Sequence, residues 1–246
     1  MAVSKQLEQK FLQVSARIPY ALRSRLFYSD IIRRNIDFSS TSILNVGSGQ
    51  GRIMRLIDEN GRFFQVNLDL FLPYLKSSKT GAPYADCILA DAKRLPITKK
   101  SFDIVLCLEL IEHLQKMDGL KLIKELEAIA RRQVILSTPV GFHKTHMFDN
   151  NPLQIHRSGW TPSEFKSLKF HVKGSTGLRF LRGERASSLF SNLFLKCLNS
   201  MLTHITQLFT YLVPRLSWGI ICIKNVRTET ASSSKSLFSA HEKTAI

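Results

Sequence analysis

Ile43-Leu44-Asn45-Val46-Gly47-Ser48-Gly49-Gln50-Gly51 is the stretch whose reading decides the fold. A short apolar run passes directly into glycines at alternate positions. Ser39-Ser40-Thr41-Ser42 supplies a turn before it. Arg52 to Asp58 follows, with Ile53, Leu56 and Ile57 at helical spacing. The order is strand, tight glycine turn, helix. Glycine is needed where the backbone turns sharply and a ligand must approach without a Cβ in the way. A helix that opens behind such a turn offers unpaired N–H groups and positive potential to an anionic group.

The pattern repeats downstream. Phe63 to Leu68 reads as a second strand ending at Asp69, and Cys87 to Ala90 as a third ending at Asp91. Phe102 to Leu106 and Gln133 to Leu136 read as the fourth and fifth. Between them, Leu120 to Ala130 is a helix with Leu122, Ile123, Leu126 and Ile129 on one face. Thr161 to Leu168 is a further helix, with Thr161 as N-cap, Pro162 first and Glu164 third. Lys169 to Lys173 and Trp218 to Lys224 are the sixth and seventh strands. Apolar runs, rather than alternating ones, fit strands covered on both faces. The expected fold is α/β: a doubly wound, mostly parallel seven-stranded sheet with helices on both faces.

The flanks are helical. Residues 1–38 read as an N-terminal helical extension, in which Leu7, Phe11, Val14, Ile18 and Leu22 recur at helical spacing and Pro19 interrupts. Residues 39–227 read as the main domain. Within it, residues 186–213 form a helical insertion before the last strand. Phe190, Phe194, Cys197, Met201, Ile205, Leu208 and Leu212 make its apolar stripe. The opposite side (Asn199, Thr203, Thr206, Gln207, Thr210) is polar, and Lys196 is the only formal charge. Two expectations compete for this helix: burial against the domain or a second copy, or a lid or membrane-surface helix admitting a lipid-like acceptor, helped by Arg179, Arg182, Arg185 and Arg215. Residues 228–246 are Ser/Thr-rich and read as a disordered tail.

Composition bounds the remaining choices. The formal charge is +16. Residues 1–150 hold 22 Lys/Arg against 15 Asp/Glu, and residues 151–246 hold 13 against 4. Such a surface favours anionic partners, or is simply solvated. The four cysteines are scattered with no C-x-x-C pair, which argues against a zinc or redox motif and for a reducing compartment. Met1 to Lys10 is polar and does not read as a secretory signal. No run reaches the roughly 20 apolar residues that span a bilayer. The expectation is a cytoplasmic chain, with peripheral membrane association tied to the insertion.

Asp69 lies 22 residues after Gly47, at a strand end, where a carboxylate accepts hydrogen bonds from ribose hydroxyls. That geometry serves nicotinamide dinucleotides and S-adenosylmethionine alike. A dinucleotide turn places its third glycine three positions after the second, whereas here the spacing is two. Further residues separate the cofactors: Ala90-Asp91-Ala92-Lys93-Arg94-Leu95-Pro96, then Ser101-Phe102-Asp103-Ile104-Val105, then Glu112-His113-Leu114. With these motifs, roughly Ile43 to Leu136 resembles the Rossmann-like class I methyltransferases that include quinone-biosynthesis enzymes. His156 to Thr161 resembles a segment after the fifth strand in some members.

The resemblance implies S-adenosylmethionine as cofactor. It places Gly47, Ser48, Gly49 and Gly51 beside the methionine part and Asp69 with Leu70 at the ribose. Asp91 with Ala92 meets the adenine, and Leu108 with Glu109 lies near the sulfonium. Asn45 departs from the pattern, which has an acid there; an amide brings no charge to the methionine ammonium. A general base is needed only if the acceptor must lose a proton. His113 is the first candidate, with His143, His146 and His156 as others. His143-x-x-His146 lacks a convincing third ligand, so no metal is expected. Two functional classes stay open: an enzyme acting on a small-molecule or lipid-like acceptor, and a related RNA- or protein-modifying or catalytically silent module. The second is less favoured for nucleic acid, because Leu108-Glu109-Leu110 replaces the Pro-Pro-Tyr type of motif.

Overall fold

A computed structural model describes residues 26–147, 149–182 and 193–226. The first part of the N-terminal extension, the start of the insertion and the Ser/Thr-rich tail lie outside the described residues.

The strands are β1 (Ser42–Val46), β2 (Phe64–Asp69), β3 (Asp86–Leu89), β4 (Phe102–Leu108), β5 (Ala130–Pro139), β6 (His171–Leu178) and β7 (Ser217–Asn225). They form one sheet in the order β3-β2-β1-β4-β5-β7-β6. Neighbours among β1 to β5 pair in parallel, and β7 alone runs antiparallel, between β5 and β6. The reversal of strand order between β1 and β4 opens a crevice at the carboxyl ends of the strands. That is where ligands bind in open α/β sheets.

Strand alternation divides the core between the two faces. Leu44, Val105, Cys107, Val134 and Leu136 pack on one side with Leu122, Ile123, Leu126 and Trp160. Ile43, Ile104, Leu106 and Ile135 pack on the other with Ile31, Ile32, Met54 and Ile57. Apart from Trp160, which lies in the loop after β5, these partners come from helices α1 (Tyr28–Asn35), α2 (Arg52–Ile57) and α4 (Lys116–Ile129). Helix α3 (Leu72–Gly81) joins β2 to β3. No apolar periodicity announces it, because only Leu75 and Ser78 are buried on its inner side. Helix α5 (Pro162–Ser167) has the expected capping box: Thr161 accepts from the Glu164 amide while Glu164 accepts from the Thr161 amide.

Helix α6 (Leu193–Leu212) falls between β6 and β7, where the insertion was expected. Its orientation reverses the expectation of an apolar stripe buried against the domain. The packed side is polar: Thr203, Gln207 and Thr210 are buried with Tyr211. Gln207 donates to the Gly174 carbonyl at 3.0 Å and accepts from the Gly177 amide at 2.7 Å. Close approach requires glycine here, since a Cβ on Gly174 would sit 1.9 Å from the Thr210 carbonyl oxygen. The apolar stripe consequently faces outward, with Met201, Ile205, Leu208 and Leu212 exposed beside Phe209.

Candidate functional site

The strand ends frame a cavity of about 400 Å³, within the range of small-molecule and cofactor sites. Gly47, Ser48 and Gly49 form one wall, Asp69 and Leu70 the next, and Ala90, Asp91 and Ala92 the third. Leu108, Glu109, Leu110 and His113 close the far side. Four elements distant in sequence thus converge because each strand ends at the same edge of the sheet.

The glycine turn is stitched to β2. The amides of Gly47 and Ser48 both donate to the Leu68 carbonyl, at 2.8 and 2.9 Å. Gly49 has φ +52°, in the left-handed region, and a Cβ built there would meet no atom within 4 Å. Its open side is the cavity. Asp69 spans the turn from below: one carboxylate oxygen accepts from the Gly49 amide at 2.7 Å, the other from the Phe71 amide at 2.8 Å. Burial raises the Asp69 pKa above the ordinary aspartate value, against the pull of the Phe71, Gly49 and Leu70 amides.

Asn45 and Gly51 do not line the cavity. The Asn45 amide donates to Asn67 on β2 at 3.2 Å, and Asn67 donates to Ser78 of α3 at 3.1 Å. Gly51, at φ +68°, caps α2, and a Cβ there would lie 2.5 Å from the Ser78 hydroxyl. Both residues shape the underside of the turn. Ser48 and Leu108, expected from resemblance alone, stand on the cavity wall.

The far side also carries Tyr28 and Ser137, which the sequence did not single out. Tyr28 bonds to the Ser137 hydroxyl at 2.5 Å, and Ser137 donates to Glu109 at 2.8 Å. Glu109 itself has φ +51°, and its amide is held by Ser137. Its carboxylate opens onto the cavity yet is otherwise surrounded by protein, which raises its pKa to about 7. Tyr28 reaches the site from α1, 109 residues away in sequence, and no local pattern could have announced it. Asn151, Leu153, Gln154 and Arg157, from the loop after β5, line the same cavity.

Of the four candidate histidines, His113 and His156 lie together, and His143 and His146 lie apart from the cavity wall. His113 lies on the cavity wall, and its ring meets that of His156 edge-on at 4.9 Å. Burial, then the neighbouring His156, lowers the His113 pKa to about 4, so the ring is neutral at pH 7. His143 bonds to the Val140 carbonyl at 2.9 Å and packs on Trp218, away from the wall. His146 is exposed. His143-x-x-His146 therefore gathers no ligands, but Glu112, His113 and His156 do lie together. The expectation of no metal rested on linear spacing, and the fold brings together a cluster that spacing cannot show.

Residues 44–137 match a family described as a methyltransferase domain. Over that stretch the chain is similar to a methyltransferase domain. The match supports S-adenosylmethionine-dependent methyl transfer, with S-adenosylmethionine as cofactor. It does not distinguish a quinone-biosynthesis subfamily. A comparison of the sequence with curated proteins finds no match. Among solved structures, the PH0226 protein of Pyrococcus horikoshii OT3 is similar at a TM-score of 0.53 and 13% identity, over 83% of this chain and 91% of that one. Phosphoethanolamine N-methyltransferase 2 of Haemonchus contortus, in complex with S-adenosyl-L-methionine, gives 0.52 and 14%, over 81% and 51%. The [4+2]-cyclase SpnF gives 0.50 and 12%, over 82% and 80%. These likenesses establish the Rossmann-like methyltransferase fold; with a cyclase among them, they leave the chemistry to the site.

Proposed function

We propose that the protein transfers a methyl group from S-adenosylmethionine to a small-molecule or lipid-like acceptor. The observation that carries this reading is the convergence of the open glycine turn, Asp69 and Asp91 on one cavity. In this reading Gly47, Ser48 and Gly49 receive the methionine part and Asp69 with Leu70 the ribose. Asp91 with Ala92 receives the adenine, and Leu108 with Glu109 lies near the reacting centre. The residues fit such a group: Gly49 leaves open space, and each Asp69 oxygen keeps a lone pair beyond its backbone bond. When bound, S-adenosylmethionine supplies an activated methyl on a sulfonium. The chain's own contribution is alignment and exclusion of water. His113, neutral at pH 7, is placed to accept an acceptor proton, although its lowered pKa makes it a weak base. Calorimetric titration tests the reading: S-adenosylmethionine binds and NAD does not. NAD binding without S-adenosylmethionine binding overturns it.

The outward stripe of α6 favours the lipid-like class of acceptor. Met201, Ile205, Leu208, Phe209 and Leu212 are exposed on one helix face, with Leu216 nearby. Phe180 is 70% exposed, between Arg179 and Arg182. An exposed apolar face on a chain of strongly basic charge matches an anionic lipid surface. No helix among the described residues is long and apolar enough to cross a membrane, so the contact would be peripheral. The chain should co-sediment with anionic vesicles at low salt, and Ile205→Glu with Leu208→Glu should release it. If the intact chain stays in solution, the acceptor does not come from a membrane surface.

A further inference from the structure

Glu112 and His113 sit in a single 3₁₀ turn, Ile111–His113, just beyond β4. His156 comes from the loop after β5, and that loop is pinned onto the same turn. The amides of Arg157 and Ser158 donate to the Glu112 carbonyl at 2.7 and 3.0 Å. The Ser158 hydroxyl donates to the Ile111 carbonyl at 3.2 Å, and the Trp160 indole donates to the Ser158 hydroxyl at 3.0 Å. The His156 amide is held by Thr145 at 2.9 Å. Backbone bonds thus fix the imidazole of His156 against the Glu112-His113 pair. One ligand atom from each of the three side chains lies within 4.8 Å of the others.

Two of those side chains each hold a buried atom without a hydrogen-bond partner, although Glu112 also faces Thr138 and His113 also meets the backbone of Gln154 and Ile155. Glu112 is 2% exposed, and its Oε2 has no hydrogen-bond partner among the described residues. His113 Nδ1 is also buried and without a partner among them. Buried carboxylate and imidazole atoms are ordinarily bonded. Two such orphans, one nominally anionic and one a lone-pair donor, converge with a second imidazole. A cation would satisfy all three at once.

We propose that Glu112, His113 and His156 bind a divalent transition-metal ion beside the cavity. Two imidazoles with one carboxylate suit Mn²⁺, Co²⁺, Fe²⁺ or Zn²⁺ better than an all-oxygen ion such as Ca²⁺. Three protein ligands leave positions open, and His113 borders the cavity, so an open position can face it. Metal binding here does not depend on the methyl-transfer reading. The role of the ion does: with His113 engaged as a ligand and no longer free to take a proton, an acceptor hydroxyl ligated at this end would be oriented and made more acidic, sparing a protein base.

The test uses the full chain, stripped with a chelator and titrated with Co²⁺ and Zn²⁺ separately. The Co²⁺ absorption spectrum and calorimetry report binding, and S-adenosylmethionine is titrated in a parallel cell. The parent should bind close to one ion per chain, and His156→Ala should weaken binding at least ~100-fold with an unchanged melting temperature. Glu112→Gln keeps the shape of the buried side chain and should weaken it comparably. A parent that takes up no ion, or a His156→Ala variant that binds like the parent, overturns the site. Failure of S-adenosylmethionine binding with metal binding intact would overturn the cofactor reading alone.

Discussion

Removing the Asp69 carboxylate should cost cofactor affinity without dismantling the sheet. Its two oxygens accept from the Gly49 and Phe71 amides at 2.7 and 2.8 Å, which holds the side chain rigidly at the cavity edge. A ribose hydroxyl donating to that anchored carboxylate forms a charge-assisted bond worth about 1.5–3 kcal/mol. Asp69→Ala should therefore weaken S-adenosylmethionine binding roughly 10- to 150-fold. The glycine turn should persist, because Gly47 and Ser48 still donate to the Leu68 carbonyl. Calorimetric titration at constant pH measures the affinity, and a melting curve checks the fold. The parent should also show a pH signature. Burial raises the Asp69 pKa, and protonation removes the acceptor. Affinity should fall as pH drops through that raised value, earlier than for an ordinary aspartate, and Asp69→Ala should lack this step. If Asp69→Ala binds like the parent and melts normally, the ribose does not lie at Asp69.

At Gly49, a Cβ meets nothing but carries the strain of φ +52°, about 1–2 kcal/mol. Gly49→Val should fold but lose detectable S-adenosylmethionine binding by calorimetry; retained binding would place the cofactor elsewhere. Gly174→Ala drives a methyl to 1.9 Å from the Thr210 carbonyl oxygen, an overpacking cost of about 1–3 kcal/mol or more. A chemical denaturation curve should show the loss, whereas outward-facing Leu208→Glu should leave stability nearly unchanged; the opposite ranking would mean that α6 is docked the other way round. Asp103 is buried, which opposes its ionisation, but the Thr41 amide and hydroxyl, Arg131 and the Ser42 amide outweigh this and lower its pKa. Its stabilisation is complete above the unfolded value of about 3.9 and disappears as pH falls through the lower folded value. Asp103→Ala should be less stable at pH 7 by about 1–3 kcal/mol, with the gap narrowing in acid; a gap that widens in acid would contradict the assignment.

What the sequence determined by itself is what local rules govern. Gly47 and Gly49 both have positive φ, a requirement legible as glycine in the chain. The buried strands of the β1–β5 region declare themselves as apolar runs, and Thr161 with Glu164 spells out its own cap. Asp69 and Asp91 were legible because one ends a strand and the other follows one closely, and in a parallel sheet the strand ends share one edge. Tertiary structure decided the rest. Periodicity gives α6 two faces but cannot say which one is buried. Gly174 and Gly177 on β6, with Gln207 bonded to both, turn its polar side inward. Tyr28 reaches Glu109 only through Ser137, a contact that exists because α1 lies against the sheet. Glu112 and His113 meet His156 because backbone bonds pin a loop from the neighbouring strand onto their turn. Spacing along the chain encodes neighbours on one element, whereas these groups become neighbours only when separate elements pack.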